Sequence, residues 1–544
     1  MRDESRTGKG ERIKVKGEKE KTVPSFPSDS SLIPHPLSLP IHPSSLALWL
    51  DRTIVGWVFV LALAAPHSIA ATQIAWVCGL LLWAGRSMVR PRRQWFRTPL
   101  DYALLGFFIL TVISSLTSYD PEISIGKLRA ASLFTIVYLV AENVFSRRVL
   151  RLLALTLIAS CMINVVYTLG ERVVGRGVKV QGLKTESPLY AAGIRDGDTL
   201  LEVDGRKLRG GPEELVAALA ASDATHGGAA RVRLYRFEWM PTFDVPRGQL
   251  LDGATALERL GMGGWTRGRD WRASGFFGHY TTYAEALQLI ASLALGLFII
   301  LPDKRSWSGA LLLIALAGLG LALLLTVTRA SWLAFLLSAF VIVAVGAGSR
   351  RTVLILAACA LPLVFAGLFV LQQKRNVGFF DPKDDSIRWR ETVQREGFQL
   401  LVSRPRHLLV GVGMDSIKRY WRQWGLFDNG RLPIGHMHST FLQLALERGI
   451  PALLMWLALV FMYARMLWRL VRSRSVEGWI ERGIALGALG GLVGFLASGL
   501  VHYNLGDSEV AMIFYLIMGI SLVVEREARK ERALQASADR AAAT

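Results

Sequence analysis

Residues 308–348 read SGALLLIALAGLGLALLLTVTRASWLAFLLSAFVIVAVGAG, two long apolar runs separated by a single charge, Arg329. A membrane-spanning helix needs about 20 predominantly apolar residues, so this stretch supplies one span on each side of a short turn at Thr326-Val-Thr-Arg329. Comparable runs recur from Ile54 almost to the C-terminus. Divided at charges, Gly and Pro, they fall at 51–66, 69–85, 100–117, 129–145, 149–169, 276–301, 308–327, 331–348, 352–371, 446–468, 482–502 and 508–524. Hydrophobic residues make up 52% of the 544 positions. That is more than one globular core can use, and the surplus must meet lipid.

The connections alternate in charge. One set carries Arg86, Arg90, Arg92, Arg93 and Arg97, then Arg147, Arg148 and Arg151, Lys304 and Arg305, Arg350 and Arg351, and finally Arg465, Arg469, Arg472 and Arg474. The positive-inside rule makes these cytoplasmic. An even number of spans then places both termini inside, and the opposite connections, Glu171–Arg272 and Gln372 to about His436, in the periplasm of a bacterial inner membrane.

The expected fold is an all-α polytopic membrane protein of about 12 transmembrane helices with a small α+β domain inserted on the periplasmic side. Its organisation reads as a disordered basic cytoplasmic tail (1–50), helices 1–5 (51–171), the inserted domain (172–240), a periplasmic linker (241–272) and helices 6–9 (273–371). A large periplasmic loop with the catalytic candidates (372–437), helices 10–12 (438–527) and a cytoplasmic tail (528–544) follow. The tail before Ser45 has no apolar core followed by a small-residue cleavage site, so it is not a cleavable signal peptide.

The formal charge of +20 comes mainly from the short basic connections. It forms no basic face interleaved with aromatics, and nucleic acid is excluded as a partner. Cys78, Cys161 and Cys359 all lie inside apolar runs without ligand-like spacing, so neither a disulfide framework nor a zinc site is indicated.

In the first large loop, Ser187-Pro188 opens a short helix, Gly193 and Gly197 mark turns, and Leu200, Leu201 and Val203 begin a strand closed by Asp204-Gly205. Pro212 starts a helix with Leu215 and Leu219 on its apolar face, and Val232 and Leu234 alternate as a final strand. The stretch from Gly177 to Gly205 resembles a bacterial PDZ domain. Such domains take an extended peptide as an added strand, which makes a peptide or protein partner one reading and a structural or docking module the other.

Charges at span ends are costly and functional by default. Arg272 precedes Gly275-Phe-Phe-Gly-His279, Arg329 stands in Thr-Val-Thr-Arg-Ala-Ser-Trp332, Arg388 and Arg390 follow Asp384-Asp385-Ser386, and His436 and His438 form His-Met-His-Ser. Arg388 and Arg390, two apart on a helix, face roughly opposite ways. A metal site needs at least a third ligand beside the two histidines, and no carboxylate lies one helical turn from His67, His279 or His502, the other histidines near periplasmic span ends. The pair therefore reads as a general base acting on a hydroxyl. Guanidinium groups around such a base suit a phosphate or diphosphate, whose oxygens match arginine's planar fork.

The run Ser386-Ile-Arg-Trp-Arg390, Pro405, Gly411-Val-Gly413 and His438-Ser-Thr-Phe-Leu-Gln-Leu-Ala-Leu-Glu-Arg-Gly-Ile450 resembles the signature of the O-antigen ligase and polymerase family. So do Arg272-Ala-Ser-Gly-Phe-Phe-Gly278 and the Thr328-Arg-Ala-Ser331 turn. The resemblance covers about 270–525 and does not include the inserted domain. It implies transfer of a glycan from undecaprenyl diphosphate to an acceptor hydroxyl, glycan or lipid-borne, on the periplasmic face, with inversion and with neither metal nor cofactor. By motif, His438 would activate the acceptor with His436 beside it, while Arg329 and Arg390 would hold the diphosphate, with Arg388 and Arg272 as further candidates. A polymerase or a protein oligosaccharyltransferase would share this site. A transporter or a PDZ-led scaffold is the alternative of another class.

Overall fold

The computed structural model describes residues 43–89, 97–220, 228–236, 240–347, 351, 385–473, 475–476 and 478–543. The chain divides into two units, Met1–Leu46 and Ala47–Thr544. Pro43, suited to a first helical turn because it has no N–H to satisfy, opens a helix that continues to Ala64. The boundary expected at residue 50 therefore falls inside a helix.

The chain is a mostly helical, multi-pass membrane protein. Among the described residues, ten helices are long and apolar enough to cross a membrane: Leu46–Ala64, Ile69–Val89, Pro121–Asn143, Arg147–Val174, Tyr280–Ile300, Trp307–Leu325, Arg329–Gly346, Thr440–Arg472, Trp479–Ser498 and Ser508–Ala541. Of the twelve expected runs, 100–117 forms the shorter helix Asp101–Leu116, and 352–371 lies outside the described residues. The run placed at 129–145 starts earlier. Asp120 caps Pro121–Gly126 by accepting the Ile123 N–H, and the path continues through Leu128–Ala131 and Ser132–Phe134 to Thr135–Asn143.

Three helices, Tyr280–Ile300, Trp479–Ser498 and Ser508–Ala543, form the centre of the bundle. Between the first two the backbones touch. A Cβ at Gly296 would lie 2.3 Å from the Gly487 nitrogen, and one at Gly487 would lie 2.7 Å from the Leu293 Cα. Helices in lipid gain no hydrophobic drive toward each other, and small residues that permit this approach supply the dispersion contacts instead. The last helix runs unbroken to Ala543, so the stretch expected as a cytoplasmic tail, 528–544, is helical through Ala543. Its charged continuation is held by Arg526 on the Ala141 and Val144 carbonyls, by the Arg147–Glu531 pair and by Glu525 with Arg529.

The inserted domain is an antiparallel sheet in the order β5-β4-β2-β1-β6, with β3 paired to β2. The strands are β1 Arg176–Leu183, β2 Thr199–Val203, β3 Arg206–Lys207, β4 Ala229–Tyr235, β5 Thr242–Pro246 and β6 Met262–Gly268. The helix Pro212–Ala220 packs Leu215, Val216 and Leu219 into its core. The stretch expected as a linker, 241–272, thus supplies both edge strands, and Val232 and Leu234 lie on an inner strand. The reason is compositional: β5 has only Phe243 and Val245 as apolar members and ends in proline, while β6 carries three glycines. Both patterns are tolerated at sheet edges and hide the strand period. The sheet rests on the helical bundle through Leu201 and Tyr235 against Trp271, Ala273 and Leu325, with the Arg176 guanidinium 3.6 Å from the centre of the Trp271 ring.

Candidate active site

The helix that carries the histidine motif begins at Thr440, six residues before the apolar run, because Ser439 caps it by accepting the Leu442 N–H. It kinks at Gly449 (φ 84°), just before Pro451. The kink frees carbonyls that a straight helix would use, and the Gly411–Gly413 loop takes them up: Val412 N–H donates to Leu446 O, Gly413 N–H to Glu447 O, and the Ser114 hydroxyl to the same Glu447 O. A Cβ at Gly411 would sit 2.3 Å from the Glu447 carbonyl carbon. Two distant glycine motifs are therefore one joint, with the histidine loop built upon it.

Within that loop His438 has φ 48°, a left-handed conformation that costs a non-glycine residue about 1–3 kcal/mol and clusters at functional sites. Its N–H donates to His436 Nδ1 at 3.2 Å and its carbonyl accepts from Gln394 at 3.1 Å. Met437 N–H donates to Gln443 Oε1 at 2.7 Å. The two imidazole centroids are 4.3 Å apart, and the Trp389 ring meets His438 edge-on at 4.3 Å. Because His436 Nδ1 accepts a hydrogen bond, the proton of the neutral ring belongs on Nε2. His438 Nδ1 is buried and has no partner among the described residues.

Both histidines face a cavity of about 400 Å³, together with Trp389, Arg390, His279 and Tyr503. Its acidic side holds Asp507, which accepts from Thr282 Oγ1 at 2.8 Å, and Glu285, only 2% exposed, whose carboxylate oxygens have no partner among the described residues. Burial pushes the His438 imidazole down to about 3, with His436, Arg390 and His279 adding to the effect. It pushes His436 down to about 4, with Lys418 and His279 adding. Burial also lowers His279 and raises the Asp507 carboxyl to about 6. At neutral pH the cavity thus offers neutral imidazoles beside a fixed guanidinium.

The arginine candidates separate. Arg390 lines the cavity, whereas Arg388, on the other side of the Asp385–Val402 helix, is exposed. Arg329 is the first residue of its helix and half-buried. Arg272 donates to the carbonyls of Thr326, at 3.1 Å, and Val327, and its guanidinium lies 3.7 Å from the centre of the Tyr280 ring, which itself lines the cavity. Arg272 is thus engaged with the turn that presents Arg329, and neither residue lines the cavity wall. His438, His436 and Arg390 come together.

Residues 311–457 match the O-antigen ligase family. The matched segment contains Arg329, Arg388, Arg390, His436 and His438, while Arg272 lies outside it. The chain is also 36% identical over 83 residues to magnetosome formation protease MamE of Magnetospirillum gryphiswaldense, a match that covers 15% of this chain and 10% of that protein. Among the described residues, no three His, Cys, Asp or Glu side chains are grouped so as to hold a metal ion.

Sequence reading missed Glu285, Tyr503 and Asp507 as cavity residues. Glu285 carried a signal, a charge within an otherwise apolar run, which marks a functional candidate in a membrane helix. Tyr503 carried none, because its place depends on how the last two helices meet.

Proposed function

We propose that this chain transfers a glycan from undecaprenyl diphosphate to an acceptor hydroxyl at the periplasmic face of the inner membrane. The observation that carries this reading is the shared cavity of His438 and Arg390, a neutral base beside a fixed cation, within the O-antigen ligase segment.

In the proposed reaction the acceptor oxygen attacks the anomeric carbon from the face opposite the leaving group. The new bond joins the acceptor oxygen to the anomeric carbon, and the bond from that carbon to the phosphate oxygen breaks. The acceptor proton passes to His438, and undecaprenyl diphosphate leaves with one more negative charge. Arg390 and Arg329 would stabilise that charge, the kind of preorganised electrostatics that supplies much of an enzyme's rate. A positioned base contributes about 10²–10⁴-fold. The diphosphate also brings negative charge toward two imidazoles held below their usual range, so donor binding strengthens the base when it is needed.

A polymerase and a protein oligosaccharyltransferase would use the same chemistry with a different acceptor. The test is deletion of the gene followed by typing of the surface polysaccharide. Long glycan left on its lipid carrier supports ligation, and single repeat units support polymerisation. Unaltered glycan on every surface and protein acceptor would contradict the reading.

A further inference from the structure

A second cavity of about 280 Å³ lies on the other side of a wall formed by His436, Tyr503 and Asp507, residues it shares with the histidine cavity. Its remaining charged lining is mainly basic: Lys127, Arg129, Lys418 and Arg448, against Asp415 and Glu447. Arg448 sits eight residues into the Thr440–Arg472 helix, about 12 Å from its start at 1.5 Å per residue, and is 8% exposed.

A guanidinium buried there is expensive unless paired. Its sequence neighbour Glu447 is committed elsewhere. The Glu447 carboxylate accepts from Gln443 Nε2 at 2.8 Å, from the Asp415 N–H at 3.1 Å and from the Tyr503 hydroxyl at 3.3 Å. Among the described residues, Arg448 makes no salt bridge; it has the Met414 thioether as a hydrogen-bond acceptor at 3.4 Å and the Phe107 ring at 5.2 Å, and its Nε has no partner. A thioether and a ring are poor compensation for a full charge. At the rim, Lys127 and Lys418 share one carboxylate, Asp415, at 2.7 and 3.0 Å, which leaves an excess positive charge there too.

We propose that this second cavity binds a phosphate group, with Arg448 as its fixed charge and Lys127 and Lys418 as its rim. Arginine suits phosphate because its fork presents two parallel N–H donors. The anion-binding chemistry stands on these residues alone, and only its assignment to a substrate of the transfer rests on the proposed function. Two sources supply such a group, the diphosphate of the lipid-linked donor and a phosphate on the acceptor glycolipid.

The test is binding to the full-length purified chain of three probes: undecaprenyl diphosphate, a phosphorylated glycolipid disaccharide, and the same disaccharide without phosphate. Each is measured with wild type, Arg448→Gln, the rim variant Lys127→Ala/Lys418→Ala, and His438→Ala. Arg448→Gln should weaken one phosphorylated probe by about tenfold or more, as expected for a lost charge-assisted bidentate contact. The rim variant should weaken the same probe less and flatten its salt dependence. Loss confined to undecaprenyl diphosphate assigns the cavity to the donor, and loss confined to the phosphorylated disaccharide assigns it to the acceptor. His438→Ala should bind both normally, so a failed transfer assay does not bear on this site. If Arg448→Gln does not fold, the rim variant decides. Unchanged affinity of both phosphorylated probes in every folded cavity variant overturns the proposal.

Discussion

Arg272 holds the backbone carbonyl of Val327, a β-branched residue at φ 51° that stands two positions before Arg329. Few side chains are less suited to the left-handed region than valine, and the turn is braced from outside by Arg272, which bonds the Thr326 and Val327 carbonyls, and by Ala273 N–H, which donates to Leu325 O at 2.9 Å. The strain is stored where a candidate diphosphate ligand must be aimed.

Arg272→Ala should therefore lower transfer more than it lowers folding. Two carbonyls lose their donor, at about 1–3 kcal/mol in thermal stability, while transfer falls by about tenfold or more through displaced Arg329. Melting curves and initial rates on one preparation check this. A stable variant with unchanged rate would remove Arg272 from any positioning role.

Arg390 and Arg388 offer a matched comparison on one helix. Arg390→Lys should reduce kcat/KM for the donor by about 10–100-fold, because a point charge does not reproduce the bidentate fork, whereas Arg388→Lys on the exposed face should stay close to wild type. Equal loss in both variants would mean that the helix, and not the cavity wall, governs activity.

The pH dependence follows from burial. His438 and His436 are held at about 3 and about 4, below histidine's usual 6.5, so the proposed base is neutral at neutral pH and is lost only as pH falls well below 6.5. The acid limb of kcat/KM, which reports the free enzyme, should lie below pH 5. The limb of kcat should lie higher, because the bound diphosphate favours imidazolium. An inflection near pH 6 belongs to Asp507 and should vanish in Asp507→Asn. The two histidines should likewise contribute less stability as pH falls below 6.5, since they bind more protons in the unfolded chain than in the folded one, while the raised Asp507 carboxyl acts in the opposite sense below about pH 6.

Much of this was legible because each signal was local. Lipid-length apolar runs announced the spans, and Arg329 stood out as a charge between two of them. The helical period separated Arg388 from Arg390 without saying which faced inward, since that depends on where Trp389 and Gln394 meet His438. The strands Thr242–Pro246 and Met262–Gly268 were hidden by proline and glycine. Glu285 and Arg448 were visible as charges, but their meaning lay in what does not surround them, a property of tertiary packing. The joint between Gly411 and the Gly449 kink explains why glycine recurs in the motif that also holds Arg390 and His438.

The ends of the inserted sheet are neighbours, with Arg176 paired to Gly268, so a short linker can replace 177–267. We expect that excision to leave the helices inserted and transfer to a generic acceptor measurable, because the catalytic candidates lie outside it, while glycan assembly at the cell surface falls. It also strips Leu201 and Tyr235 from Trp271, so the melting temperature should drop. Equal loss of both activities in a normally inserted protein would make the sheet part of the site.

The most direct test is the rate at which purified His438→Ala releases undecaprenyl diphosphate from a lipid-linked glycan in the presence of an acceptor. The expected result is a fall of at least about 10²-fold, with expression, membrane insertion and donor affinity retained. Release and glycan transfer at the wild-type rate would contradict it.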